Sequence, residues 1–231
     1  MKRHLKRIAS PKTWMIDRKE NTYITKCSPG AHPLNISLPL VVVIRDLLKI
    51  CQTTKEVKKL LNNKEVLVDG KKKKDHRLAV GLFDIISFKE TKEHYRVLLN
   101  KKGKLTIQKI DAKESTVKPC KIIGKTMLSK NIQLNLHDGK NILAKKDFKC
   151  KVGDTVLVTL GDYKIKELIE LKKDSYVYIT KGKQAGDSGV LTEIKESRAT
   201  YQKEKNQIKT LKKYLFVLGE KKSVITLENG K

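Results

Sequence analysis

Three consecutive segments decide the reading of this chain: Leu38-Pro39-Leu40-Val41-Val42-Val43-Ile44-Arg45, then Thr53-Thr54-Lys55-Glu56-Val57-Lys58-Lys59-Leu60-Leu61, then Val66-Leu67-Val68-Asp69-Gly70 followed by Lys71, Lys72, Lys73 and Lys74. Leu40, Val43, Ile44, Leu47 and Leu48 fall at the spacing of one helical face, and Ser37 and Pro39 supply a start. The β-branched run Val41-Val42-Val43-Ile44 pulls the other way, toward a strand. Thr53 and Glu56 stand at capping-box spacing and predict a second helix with Val57, Leu60 and Leu61 as its apolar face. Val66 and Val68 alternate into Asp69-Gly70, a two-residue hairpin signal, and 83–88 reads as a further strand. Two helices and a hairpin with a basic tip make one small module.

Outward from it the pattern changes in both directions. The segments 105–107, 132–136, 156–160 and 165–171 read as short strands separated by turn dipeptides, among them Asp138-Gly139 and Gly161-Asp162, and a further β unit starts at 176–180 and runs into 181–194. Lys-rich 202–213 follows, and 214–217 and 224–227 read as closing strands. Strands of this length and spacing predict a small β-barrel or sandwich, so the fold class is α+β, mostly β. Residues 1–37 mix charge with turn formers, as in Ser10-Pro11-Lys12 and Ser28-Pro29-Gly30, without sustained periodicity. They read as a basic extension that orders on a partner.

Charge names the kind of partner. The 231 residues hold 52 Lys+Arg against 25 Asp+Glu, a formal +27. The excess is +6 over 1–37, +6 over 38–100, +8 over 101–170 and +7 over 171–231, so every quarter is positive and the whole length is expected to touch a polyanion. Lysines number 45 and arginines 7. Lys meets phosphate as a point charge, whereas Arg is the fork that reads base edges, so backbone and shape outweigh sequence here. No run of 18 apolar residues exists and no apolar signal core follows the basic start, which predicts a soluble protein that stays inside the cell, with no membrane partner. Cys27, Cys51, Cys120 and Cys150 form no Cys-x-x-Cys pair and no Cys/His cluster at zinc spacing. They are expected to be reduced structural thiols, with no metal and no cofactor.

The segment His4-Leu-Lys-Arg-Ile-Ala-Ser-Pro-Lys-Thr-Trp14-Met-Ile-Asp-Arg-Lys19 resembles the opening of the archaeal and eukaryotic small-subunit ribosomal protein four, the e-type family. Leu38-Pro39-Leu40 with Arg45 is similar to that family's entry into an alpha-L RNA-binding domain. Glu56-Val-Lys-Lys59, Val68-Asp69-Gly70-Lys71 and Gly81-Leu-Phe83-Asp-Ile-Ile-Ser87 continue the likeness, and 176–194 with Gly182, Gly186 and Gly189 resembles its KOW motif. The resemblance implies a basic N-terminal extension over 1–37, an alpha-L domain over 38–100, a central β-domain over 101–170 and a KOW-type β-barrel over 171–231. It implies small-subunit ribosomal RNA and neighbouring ribosomal proteins as partners, a monomer within the cytoplasmic ribosome, and a structural role in translation and subunit assembly with no small-molecule substrate.

Under that implication the arm residues Lys2, Arg3, His4, Lys6, Arg7, Lys12, Arg18 and Lys19 lie on RNA, with Arg45 at the entry to the alpha-L domain. Lys55, Lys58, Lys59, Lys71, Lys72, Lys73, Lys74 and Arg77 converge at the second helix and hairpin tip, where helix amides add phosphate donors. A solvated lysine run is the plainer reading of the same residues. Trp14 reads equally as a base stack or as a cap over an apolar groove between RNA and protein. Gly182, Gly186 and Gly189, flanked by Lys181 and Lys183, permit close backbone approach to phosphate, and turn geometry explains them as well. His32, His76, His94 and His137 read as surface or turn residues, and Asp69, Asp138 and Asp162 as turn formers. No Gly-x-Ser-x-Gly, His-Glu-x-x-His or phosphate-binding Gly-x-x-x-x-Gly-Lys-Ser/Thr motif occurs, so no catalytic residue is expected. The competing readings are an RNA-modifying enzyme and a transient translation or transcription factor built on the same modules.

Overall fold

The structure, a computed structural model, describes residues 4–63, 65–129, 131–146, 148–203 and 206–227. One unit comprises the chain up to Leu99 together with Lys104–Thr116, the other Asn100–Gly103 and the chain from Val117 onward.

In the first unit the N-terminal segment is folded. β1 (Leu5–Lys6) pairs antiparallel with β2 (Tyr23–Ile24). The segment has few apolar residues, and two arginines hold its turns instead. Buried Arg7 donates to the Asp17 carbonyl and to Glu20, the latter at 2.5 Å. Arg18 donates to the carbonyls of Ile8, Ser10 and Pro11 at 3.0, 2.9 and 2.9 Å. Trp14 is 1% exposed. Its backbone bridges to Leu105, whose N–H donates to the Thr13 carbonyl at 2.7 Å, and its indole N–H donates to the Leu34 carbonyl at 3.4 Å. The expectation of an extension ordered only by a partner therefore fails for its described residues: long-range contacts replace the missing local periodicity.

β3 (Ser37–Pro39) leads into α1 (Leu40–Val42), which widens at once into a π turn over Val43–Leu47, where the Leu48 N–H reaches the Val43 carbonyl at 2.9 Å. The helical stripe wins over β propensity because Leu40 through Ile44 are all buried. α2 (Thr54–Asn63) opens on the expected capping box: Glu56 N–H donates to Thr53 Oγ1 at 3.2 Å, and Glu56 Oε2 accepts from the Thr53 N–H at 3.3 Å. β4 (Val66–Val68) turns through Asp69 and Gly70, at φ 51° and 74°, into β5 (Lys71–Lys72). β6 (Ala79–Gly81) returns to β3, and β7 (Ile85–Phe88), β8 (Glu93–Leu99) and β9 (Leu105–Ile110) extend the hairpin into a sheet ordered β5-β4-β7-β8-β9. Strand β9, expected within the central segment, thus belongs to this unit. Buried Arg96 on β8 is paired with Glu114.

The second unit holds two five-stranded antiparallel sheets. β10 (Val117–Met127), β11 (Asn131–Leu136), β12 (Asn141–Lys145), β13 (Thr155–Thr159) and β14 (Ile165–Ile169) are ordered β12-β11-β10-β13-β14. β15 (Tyr176–Ile179), β16 (Ser188–Lys195), β17 (Arg198–Lys203), β18 (Asn206–Leu211) and β19 (Leu215–Gly219) are ordered β18-β17-β16-β15-β19. The first sheet encloses a core of Ile122, Leu134, Leu136 and Val156. Leu157 and Ile169 leave that sheet to pack with Val177, Leu191, Tyr201 and Val217 of the second. Half-buried Lys121 stitches the same junction, donating to the Lys213 and Leu215 carbonyls at 3.0 and 2.6 Å. The strand expected at 224–227 is absent: Val224 is 50% exposed, and its N–H turns back to the Leu218 carbonyl. Among the described residues no helix is long and apolar enough to cross a membrane. All four cysteines are thiols, and burial pushes that of Cys27 up to about 11.

Candidate nucleic-acid interface

The candidate surface is built from lysines that the fold leaves outside. Lys55, Lys58 and Lys59 lie on the polar side of α2, whose Val57 and Leu61 are buried, and all three are exposed. On the hairpin, Lys71, Lys72 and Lys74 are exposed and Lys73 is half-buried. Beyond the hairpin, burial lowers the pKa of His76 first, and the charges of Lys58 on α2 and of Arg77 add to that against the opposing Asp75. Helix α2 and the loop after the hairpin therefore share one positive field. In the arm, His4, Lys6, Lys12 and Lys19 are exposed, while Lys2 and Arg3 lie outside the described residues. Lys181 and Lys183 are exposed on the β15–β16 connection.

The arginines behave differently. Arg7 and Arg18 hold the arm together as above, so their guanidiniums are taken up inside the chain. Arg45 presents its fork to Asp46, Nε to Oδ1 at 2.6 Å and Nη2 to Oδ2 at 3.0 Å, and donates from Nη1 to Thr54 Oγ1 at 3.2 Å. Arg77 donates from Nε to the Lys26 carbonyl at 3.3 Å. Four of the arginines expected on RNA are thus fold-holding groups first. A planar multi-donor side chain can satisfy several carbonyls at once in a segment short of apolar residues, a task the single ammonium of Lys performs poorly.

Three further expectations change. Trp14, buried in the first unit, has no open face for a base. The α2 N-terminus carries the Glu56 carboxylate on its Gln52 and Thr53 amides, at 2.8 and 3.3 Å, so these amides are not open to a phosphate and the expected helix-amide donors are taken up within the chain. The α1 N-terminus is likewise filled, with the Leu40 and Val41 N–H groups donating to the Leu78 and His76 carbonyls. Gly182 and Gly186 have φ of 93° and 90°, and a Cβ on Gly189 would collide with the Gln202 carbonyl of β17. Strand packing and turn geometry account for all three glycines.

Three groups read as turn or surface residues are buried, among them Asp69, which accepts from the Ile85 N–H at 3.1 Å. His32 is 7% exposed and hydrogen-bonded to Asp84 at 3.1 Å, its ring lying where a Cβ on Gly81 would stand. Asp138 is 1% exposed and paired with buried Lys118 at 3.2 Å and with Lys140 at 3.4 Å. Cys120, His137 and Asp138 bring donor atoms within 4.8 Å of one another, a trio absent from the sequence reading because β10 and the β11–β12 turn meet only in the fold. Two ammonium groups on its one carboxylate make the trio an ion-pair cluster and repel a divalent cation.

The chain is similar to known proteins along its whole length. Residues 1–35 match the RS4NT (NUC023) domain and residues 91–165 the ribosomal family S4e. Small ribosomal subunit protein eS4 of Methanothermobacter thermautotrophicus is 38% identical across 100% of this chain and 98% of its own. That of Methanosphaera stadtmanae is 40% identical across 98% of this chain and 96% of its own. The crystal structure of the 30S ribosomal protein S4e from Thermoplasma acidophilum is 30% identical and similar at a TM-score of 0.68, covering 80% of this chain and 95% of that one. Likeness at this level from end to end leaves one assignment: the chain belongs to the small ribosomal subunit protein eS4 family.

Proposed function

We propose that the chain is a structural component of the small ribosomal subunit that holds ribosomal RNA through phosphate and shape. Its partners are the RNA of that subunit and the ribosomal proteins beside it, in the cytoplasmic ribosome. In this reading the arm over 1–37 and the helix–helix–hairpin over 38–100, an alpha-L module, form one RNA-facing surface. A β-module that begins at Val117 follows, and the KOW-type module over 171–231 adds further phosphate contacts through Lys181 and Lys183. Family membership makes this a structural role and not an enzymatic one.

The observation that carries the reading is the division of labour between the cations. Arginines Arg7, Arg18, Arg45 and Arg77 donate within the fold, while Lys55, Lys58 and Lys59 on α2 and Lys71, Lys72 and Lys74 on the hairpin stay exposed. Mobile point charges neutralise phosphates without choosing a base sequence. The test is the affinity for a small-subunit ribosomal RNA fragment measured against salt. Changing those six lysines to Gln lowers the slope of log K against log salt by about 4–5, at ~0.7–0.9 for each phosphate no longer neutralised. An affinity that hardly varies with salt, or a variant slope equal to that of the native chain, overturns the reading.

A further inference from the structure

The burial of Trp14 removes the base stack that was one of its two sequence readings, and the fold exposes another aromatic ring in the arm. Tyr23, on β2, is 55% exposed. Its ring meets that of His4 edge to face, with centroids 5.6 Å apart and planes at 82°. Both rings line a cleft of about 390 Å³, shared with Lys26, Arg45, Thr54 and Arg77 and bordered by no carboxylate side chain among the described residues. The cations of this cleft are not equivalent. Asp46 takes the Arg45 fork and cancels much of its charge. Arg77 is anchored through Nε, to the Lys26 carbonyl, which fixes its guanidinium at the wall of the cleft. Lys26 adds positive charge beside it.

An exposed aromatic face and an oriented guanidinium on one carboxylate-free wall are the two halves of nucleotide recognition: the ring stacks on a base, and the fork meets a phosphate. A base inside a continuous duplex already has both faces covered by its neighbours, so it cannot offer one to Tyr23. We propose that this cleft takes a single unpaired nucleotide of RNA, a bulged, looped or terminal one, with its base on Tyr23 and its phosphate on Arg77. This rests on the reading that the chain binds ribosomal RNA, and it makes one part of that binding selective for unpaired structure where the lysine surface is not.

The test uses the full chain with ring-labelled tyrosines and three probes: an RNA hairpin with one bulged adenosine, the same hairpin fully paired, and adenosine monophosphate. The bulged hairpin binds at least about fivefold more tightly than the paired one, the low end of base–aromatic stacking, and shifts the Tyr23 ring resonances upfield. Tyr23→Leu abolishes that preference while leaving the affinity for the paired hairpin unchanged, and Tyr23→Phe keeps it, since stacking needs the ring and not the hydroxyl. A preference that survives Tyr23→Leu, or an unshifted Tyr23 ring, overturns the proposal. Monophosphate binding as tight as that of the bulged hairpin also overturns it, by making the cleft a free-nucleotide site. If both hairpins bind equally and the six-lysine variant weakens both, the cleft proposal alone falls. If the native chain binds neither hairpin, the RNA-binding reading falls with it.

Discussion

Asp138→Asn is the sharpest single perturbation the second unit offers. The carboxylate of Asp138 and the ammonium of Lys118 are both 1% exposed and lie 3.2 Å apart. Asn keeps Oδ1 to accept from the Lys140 N–H, now 3.2 Å away, so the turn after β11 retains its local geometry. What disappears is the negative charge, and buried Lys118 loses the carboxylate that pairs with it. Breaking one side of such a pair costs roughly 3–5 kcal/mol, whereas replacing both partners with apolar residues of similar size is near neutral or stabilising. For a unit of this size that is a fall on the order of 10–20 °C in the unfolding midpoint. The double variant Lys118→Met with Asp138→Leu recovers most of it. Hydrogen exchange across 117–136 reads the effect locally, with thermal unfolding by circular dichroism beside it. The pH dependence has a definite sign. Burial raises the Asp138 carboxyl, but Lys118, Lys140 and His137 together outweigh burial and hold it below the ordinary range. Its contribution is therefore fully present above about pH 4, the unfolded value, and is lost as pH falls through the lower native one; the Asn variant lacks that acid limb. An Asp138→Asn chain with the native midpoint, or a double variant as unstable as the single, refutes the reasoning.

Other substitutions probe the remaining joints. Trp14→Ala empties a fully buried site and should cost about 3–5 kcal/mol in the first unit; the native emission of this single tryptophan should be blue-shifted and should not respond to RNA directly. Thr53→Ala removes the cap of α2 and should cost about 0.5–2 kcal/mol by urea unfolding, because Glu56 N–H loses its acceptor. Lys121 is held down to about 8, by burial and then by Lys212. The unfolded chain therefore binds more protons between about pH 8 and 10.4, so stability should rise with pH across that window, and Lys121→Met should remove the rise.

The legible parts of the fold are those fixed by neighbours in sequence. The Thr53–Glu56 box, the α2 stripe and the Asp69-Gly70 turn all appear in the structure because each is satisfied within a few residues. β17 and β18 are hidden in a Lys-rich stretch. Only Ala199 and Tyr201 of Arg198–Lys203 face the core, and the outward positions carry the polar residues that a solvated loop would also carry. β8 and β10 escape notice for a related reason: Arg96 and Lys118 sit fully buried in them, and a buried cation is intelligible only once Glu114 and Asp138 are seen beside it. The lysine surface is legible as charge, but its separation from the arginines is not, because an internal guanidinium and an RNA-facing one look alike in sequence. The arm departs furthest from expectation, since Trp14 and Leu105 are brought together by the fold alone.

The central claim is that the chain is an integral part of the small subunit, held along its length. Sedimentation of ribosomes through sucrose after a high-salt wash, with the chain quantified in each fraction, measures that directly. Recovery of one copy per small subunit after the wash is the expected result; loss of the chain to the top of the gradient, while other small-subunit proteins remain, contradicts it.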